Sequence, residues 1–148
     1  MLRSIVGVIA GYISMAVFVF ATFTIVYLAM GADGAFREGS YEISALWIVV
    51  SFVLSVIAAI VGGFVCAAIA KNMTAPYVLA GIVLVLGLLL AIPVVTGSYE
   101  GMPEVRDSAT GNFEAMQYAR QPVWIALLNP IIGAGGIVFG ARMRKRPG

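Results

Sequence analysis

The sequence predicts an all-α polytopic membrane protein, four transmembrane helices in an up-down bundle. Three observations predict it. Apolar residues fill 61% of the 148 positions and charged residues only 11%, against roughly 45–50% and 25% in soluble domains. The apolar residues fall into four long stretches. The charges between those stretches segregate by sign.

The first stretch, residues 4–30, follows Arg3 and holds no charge. A hydrocarbon core roughly 30 Å thick needs about 20 apolar residues at 1.5 Å each, so this run is long enough to span. A signal-peptide core is about 7–15 residues long; the greater length of this run predicts a retained helix. The second stretch, 42–70, has Glu42 at its edge and no other charge. The third, 75–96, and the fourth, 122–141, have none.

Between the second and third stretches, Lys71-Asn72-Met73-Thr74-Ala75-Pro76 reads as a tight turn. Thr74 suits a helix N-cap, and Pro76 suits the first helical turn, where a missing N–H costs little. So tight a turn predicts that the second and third helices are antiparallel neighbours. The first outer loop, 31–41, carries Asp33-Gly34 as turn chemistry. The second, 97–121, is the one long connection. Its latter part, 112–120, predicts a short helix capped by Asn112, with Phe113, Met116 and Ala115 or Ala119 on one face. The four spans and their loops leave no room for a second domain within the 148 residues.

Orientation follows from sidedness. Arg3, Lys71, Arg142, Arg144, Lys145 and Arg146 lie on one side of the spans with no acid among them. All seven acids lie on the other: Asp33, Glu38, Glu42, Glu100, Glu104, Asp107 and Glu114, with Arg37, Arg106 and Arg120. Lys and Arg accumulate in cytoplasmic loops, so both termini are expected in the cytoplasm. Trp47, Trp124, Tyr27, Tyr41, Tyr99 and Tyr118 cluster near the opposite boundary, where amphipathic rings favour the headgroup layer.

Small residues predict where helices meet. Ser51, Ser55, Ala59, Gly63 and Ala67 recur every four residues, with Ala58, Gly62, Cys66 and Ala70 in a parallel row. Gly7 and Gly11 do the same in the first span, and Gly136 and Gly140 in the fourth. Such rows let backbones approach closely, which drives packing where lipid removes the hydrophobic force between helices.

The polar residues within the spans are few. Asn129, next to Pro130, is expected at a depth similar to Ser51, Thr22 and Thr24. Together they predict a buried polar cluster joining spans one, two and four, with Asn129 bonded to one of those hydroxyls or to the Ala126 carbonyl. Pro130 is expected to kink its helix. Arg142, Arg144, Lys145 and Arg146 are candidates for contact with anionic lipid headgroups, at about 1 kcal/mol per basic residue.

Catalytic chemistry finds no foothold. The chain contains no His and a single Cys, Cys66, so imidazole chemistry and an internal disulfide are absent. No acid or base lies inside a span, where ionisable residues are the usual mark of function. No catalytic residue, cofactor, metal or nucleic-acid partner is expected. The partners expected are the lipid bilayer and other membrane-protein subunits or further copies of the chain.

With its basic start, Gly7-xxx-Gly11, the Lys71 hinge and the Arg142–Arg146 tail, the chain resembles the small four-helix inner-membrane proteins common in bacteria, a broad group with no shared assigned function. The resemblance implies a bacterial inner-membrane location. Small multidrug transporters share the size but carry an acid in the first span, and residues 4–30 have none. The expected function is that of a non-catalytic accessory or scaffold subunit. The alternative is a small carrier or channel for an apolar or lipid-like substrate.

Overall fold

The computed structural model describes residues 1–97, 101–107 and 109–144. Lys145, Arg146 and Tyr99 lie outside them, as do Ser98, Glu100 and Ser108. The described residues form five helices: α1 (Leu2–Ala35), α2 (Ala45–Ala70), α3 (Thr74–Val95), α4 (Asn112–Gln117) and α5 (Val123–Arg144). All but α4 are long and apolar enough to cross a membrane. Large apolar side chains such as Phe20, Leu28, Leu90 and Phe139 point outward along them, as lipid-facing surfaces require.

The two small-residue rows of α2 serve two different neighbours. Gly62, Cys66 and Ala70 meet α1: a Cβ at Gly11 would come 2.7 Å from the Gly62 carbonyl oxygen, and one at Gly7 would come 2.9 Å from that of Cys66. Ala59 and Gly63 meet α5, where a Cβ at Gly136 would lie 2.7 Å from the Ala59 Cβ. Around these approaches Ala59, Cys66, Ala70, Ala75, Leu79, Ala80 and Ile137 form one buried core.

The tight turn after α2 does not make α2 and α3 close neighbours, contrary to the expectation from its length. α5 packs extensively against both, and α2 and α3 touch lightly. On α3 the side chain opposite α5 is absent at Gly87, where a Cβ would lie 2.6 Å from the Pro130 ring. Pro130 is buried there, and α5 continues through it from Val123 to Arg144. Nor is Thr74 the N-cap of α3. Met73 holds that position, and the capping side chain is Asn72, whose Oδ1 accepts from the Ala75 N–H at 3.0 Å.

The segments expected as loops at the other end form a second, separate core. α1 does not stop at Met30: Gly31 turns it (φ 67°), and one more helical turn follows to Ala35. The Asp33-Gly34 turn is therefore helical. α2 begins at Ala45 rather than at Glu42. Ser44 caps it, accepting from the Trp47 N–H at 3.1 Å and donating its hydroxyl to the Gly34 carbonyl at 2.7 Å. Single antiparallel bridges pair Phe36 with Ile43 and Ser40 with Val105, and a parallel one pairs Glu42 with Arg120. Tyr27, Ala32, Ala35, Phe36, Tyr41, Ile43, Ala115 and Ile125 are buried together beneath them. This cap is closed by α4, which packs on α1.

Candidate functional site

Where the cap meets the bundle, the α2–α5 contact opens. The row that is closed at Ala59 and Gly63 continues upward as Ser55 and Ser51, and these line a groove of about 380 Å³. Its other walls are Phe23 of α1, Trp47 of α2, Val94 of α3, Ile125 and Asn129 of α5, and Gln121. Phe23 and Trp47 stack edge to face, with ring centroids 5.8 Å apart. The geometry of α5 directs Asn129 here. Successive residues on a helix point about 100° apart, so with Pro130 seated on Gly87 of α3, the preceding side chain turns toward α2. Ile125, one turn earlier, lies on the same face.

The structure brings together Ser51 and Asn129 of the four polar residues singled out in the spans. It does not bring Thr22 or Thr24. Thr22 donates to the Phe18 carbonyl of its own helix at 2.7 Å, and Thr24 is exposed. The Ser51 hydroxyl likewise donates within α2, to the Ile48 carbonyl at 3.1 Å. None of the bonds expected of Asn129 forms. Its carboxamide is half-buried and, among the described residues, has no hydrogen-bond partner. A Ser or Thr hydroxyl can be satisfied by the carbonyl one turn back. A carboxamide has two donors and an acceptor to place, and here it places none.

Sequence reasoning missed a further polar centre, inside the cap. Arg106 is 6% exposed. Its Nη2 donates to Asp33 Oδ1 at 2.9 Å, its backbone N–H donates to the Gly39 carbonyl at 3.0 Å, and its Nε is buried without a partner among the described residues. Next to it, Asn112 ties the cap to α1 with two bonds. Its Oδ1 accepts from the Ala32 N–H at 3.0 Å, and its carbonyl accepts from the Tyr27 hydroxyl at 2.5 Å. Asn112 is therefore the first residue of α4 and not its cap, which is Gly111. On α4 only Ala115 turns inward; Phe113 and Met116 are exposed. The one sequence signal for this centre was an Asn at a helix start, and it pointed to the wrong partner.

The helix-packing residues Gly7, Gly11, Ala59, Gly63, Gly136 and Gly140 all face neighbouring helices of the same chain. Ser55 faces the groove. Arg142 and Arg144 are exposed at the end of α5. Among the described residues, no group of His, Cys, Asp and Glu is placed to hold a metal ion. No family model, curated protein or solved structure matches this chain.

Proposed function

We propose that this chain is a non-catalytic subunit of the bacterial cytoplasmic membrane, an accessory or scaffold protein that receives a helix of another membrane protein in the Asn129 groove. Its four long helices run up and down with both termini in the cytoplasm. The pairing of Gly7 with Cys66 and Ala70, and of Gly11 with Gly62, supports opposite directions for α1 and α2. The sidedness of the charges supports the orientation.

The observation that carries the subunit reading is the unpartnered Asn129 carboxamide. In hydrocarbon, each unmet polar group costs several kcal/mol. A polar group from outside the chain relieves that cost, and a Ser, Thr or Asn on a neighbouring helix is the usual source. The small-residue rows are spent on contacts within the chain, so the groove, not those rows, is the face left for a partner.

Purification from native membranes in mild detergent tests this. A stoichiometric protein partner should accompany the wild-type chain and be lost from Asn129→Leu, while the melting temperature of the variant is unchanged or higher. Loss of the partner from neither chain refutes the role of the groove. One observation favours a second reading, a carrier for a lipid-like substrate: Phe23, Trp47 and Ile125 set an apolar wall beside Ser51, Ser55 and Asn129, which suits an amphipathic molecule. That reading predicts a homodimer that copurifies with lipid and no protein partner.

A further inference from the structure

At the end of the bundle opposite the cap, α2 ends, α3 begins and α5 finishes around a cavity of about 530 Å³ lined by Ala67, Lys71, Asn72, Met73, Ala141 and Arg144. This is within the roughly 300–1,000 Å³ of small-molecule sites. The small side chains of Ala67 and Ala141, both buried, leave the space. Lys71 and Arg144 stand at its edge with no ion-pair partner among the described residues. The sequence has no Asp or Glu from Ile43 to Tyr99 or after Glu114.

Two features fix the arrangement. Asn72 is fully used in holding it: its Nδ2 donates to Ser4 Oγ at 2.9 Å and to the Ala70 carbonyl at 3.0 Å, while its Oδ1 caps α3. One side chain thus ties α1, α2 and α3 together beside the cavity. Lys71 ends α2 in the left-handed region (φ 56°, ψ 24°), a place that glycine fills at least cost. A lysine there gives up some stability and presents a cation at the rim.

We propose that this cavity binds the phosphate of an anionic membrane lipid, with Lys71 and Arg144 as its two cationic contacts and the Ala67–Ala141 wall against the glycerol region. Basic pockets between transmembrane helices are suited to such headgroups. The inference rests on the membrane reading of the four helices but not on the Asn129 groove.

The test compares two variants of equal charge. Lys71→Gln/Arg144→Gln removes two charges at the cavity; Arg3→Gln/Arg142→Gln removes two exposed charges at the same end. Affinity for phosphatidylglycerol in neutral detergent, read from the lipid-dependent rise in melting temperature, should fall about 30-fold in the first variant and by clearly less in the second, whose residues do not line the cavity. Lys71→Arg should retain binding, which separates loss of charge from loss of fold. Phosphatidylcholine should give no rise. Equal losses in both double variants would mean diffuse attraction to the basic end and would overturn the site. A rise with inorganic phosphate alone, matching that with phosphatidylglycerol, would overturn the lipid as its source.

Discussion

Gly63 of α2 lies against the backbone carbonyl of Ile137 in α5, so closely that a Cβ at position 63 would overlap it. The contact is reciprocal, since a Cβ at Gly140 would overlap the Ile60 carbonyl. Neither neighbour is a side chain that can rotate away. A single methyl at either position must push the two helices apart along the line that closes the bundle below the groove.

Gly63→Ala and Gly140→Ala should therefore each lower stability in detergent by about 1–3 kcal/mol, the usual cost of overpacking. Gly81 and Gly135 provide the controls, because a Cβ at either meets nothing within 4 Å. Alanine at those positions should be neutral or stabilising by up to about 1 kcal/mol through helix propensity. Thermal melts of the four variants decide the matter. Equal behaviour of all four would mean that α2 and α5 do not meet at Gly63.

Asn112 should be the residue on which the cap depends. Asn112→Ala leaves the Ala32 N–H without its acceptor at the turn made by Gly31, at a cost of about 1–3 kcal/mol for an unsatisfied buried donor. Asn112→Asp keeps an acceptor oxygen and should restore most of that loss. Limited proteolysis between Gly101 and Gln121 is the readout: faster cleavage is expected in the alanine variant and near wild-type rates in the aspartate variant.

The contrast between the two cores explains what could be read from the sequence. The four long apolar helices were legible because long charge-free runs of that length favour helices able to cross a membrane, and the close approaches were legible because glycine and alanine recur every fourth residue. Which way Thr24 or Ser51 points was not legible. In a helix apolar on all sides, no polar face fixes its rotation. The neighbour of α3 was missed for a related reason: a short turn limits how far apart two helix ends lie but does not prevent α5 from packing between their bodies. The cap was missed because its pairings are single bridges, such as Phe36 with Ile43, too short to leave the alternation that marks a strand. Arg106 is charged and lies in a segment rich in acids, so its burial has no signature in composition.

The Arg106–Asp33 pair is asymmetric, with side-chain exposures of 4% and 92%. Removing one partner is therefore not equivalent to removing the other. Asp33→Asn leaves a buried guanidinium without its counter-charge, the costly way to break such a pair. Arg106→Met leaves an aspartate that water already solvates, and refills much of the stem volume. Asp33→Asn should lower the melting temperature more than Arg106→Met does, although Asp33 is the exposed residue. The opposite order would show that the Arg106 stem, rather than its charge, holds the cap.

The buried Cys66 allows a clean test of the sidedness of the chain. Cys66 is fully enclosed between α1 and α2, so the native thiol should stay silent toward a membrane-impermeant maleimide on intact cells. Glu38 is exposed in the cap, and Leu2 is 76% exposed at the opposite end. With the basic end in the cytoplasm, Glu38→Cys should label from outside, whereas Leu2→Cys should label only after the membrane is opened. Neither change removes a Lys or Arg, so the bias that sets orientation is left intact. Labelling of Leu2→Cys on intact cells, with Glu38→Cys protected, would invert the topology and place the Lys71–Arg144 cavity on the external face.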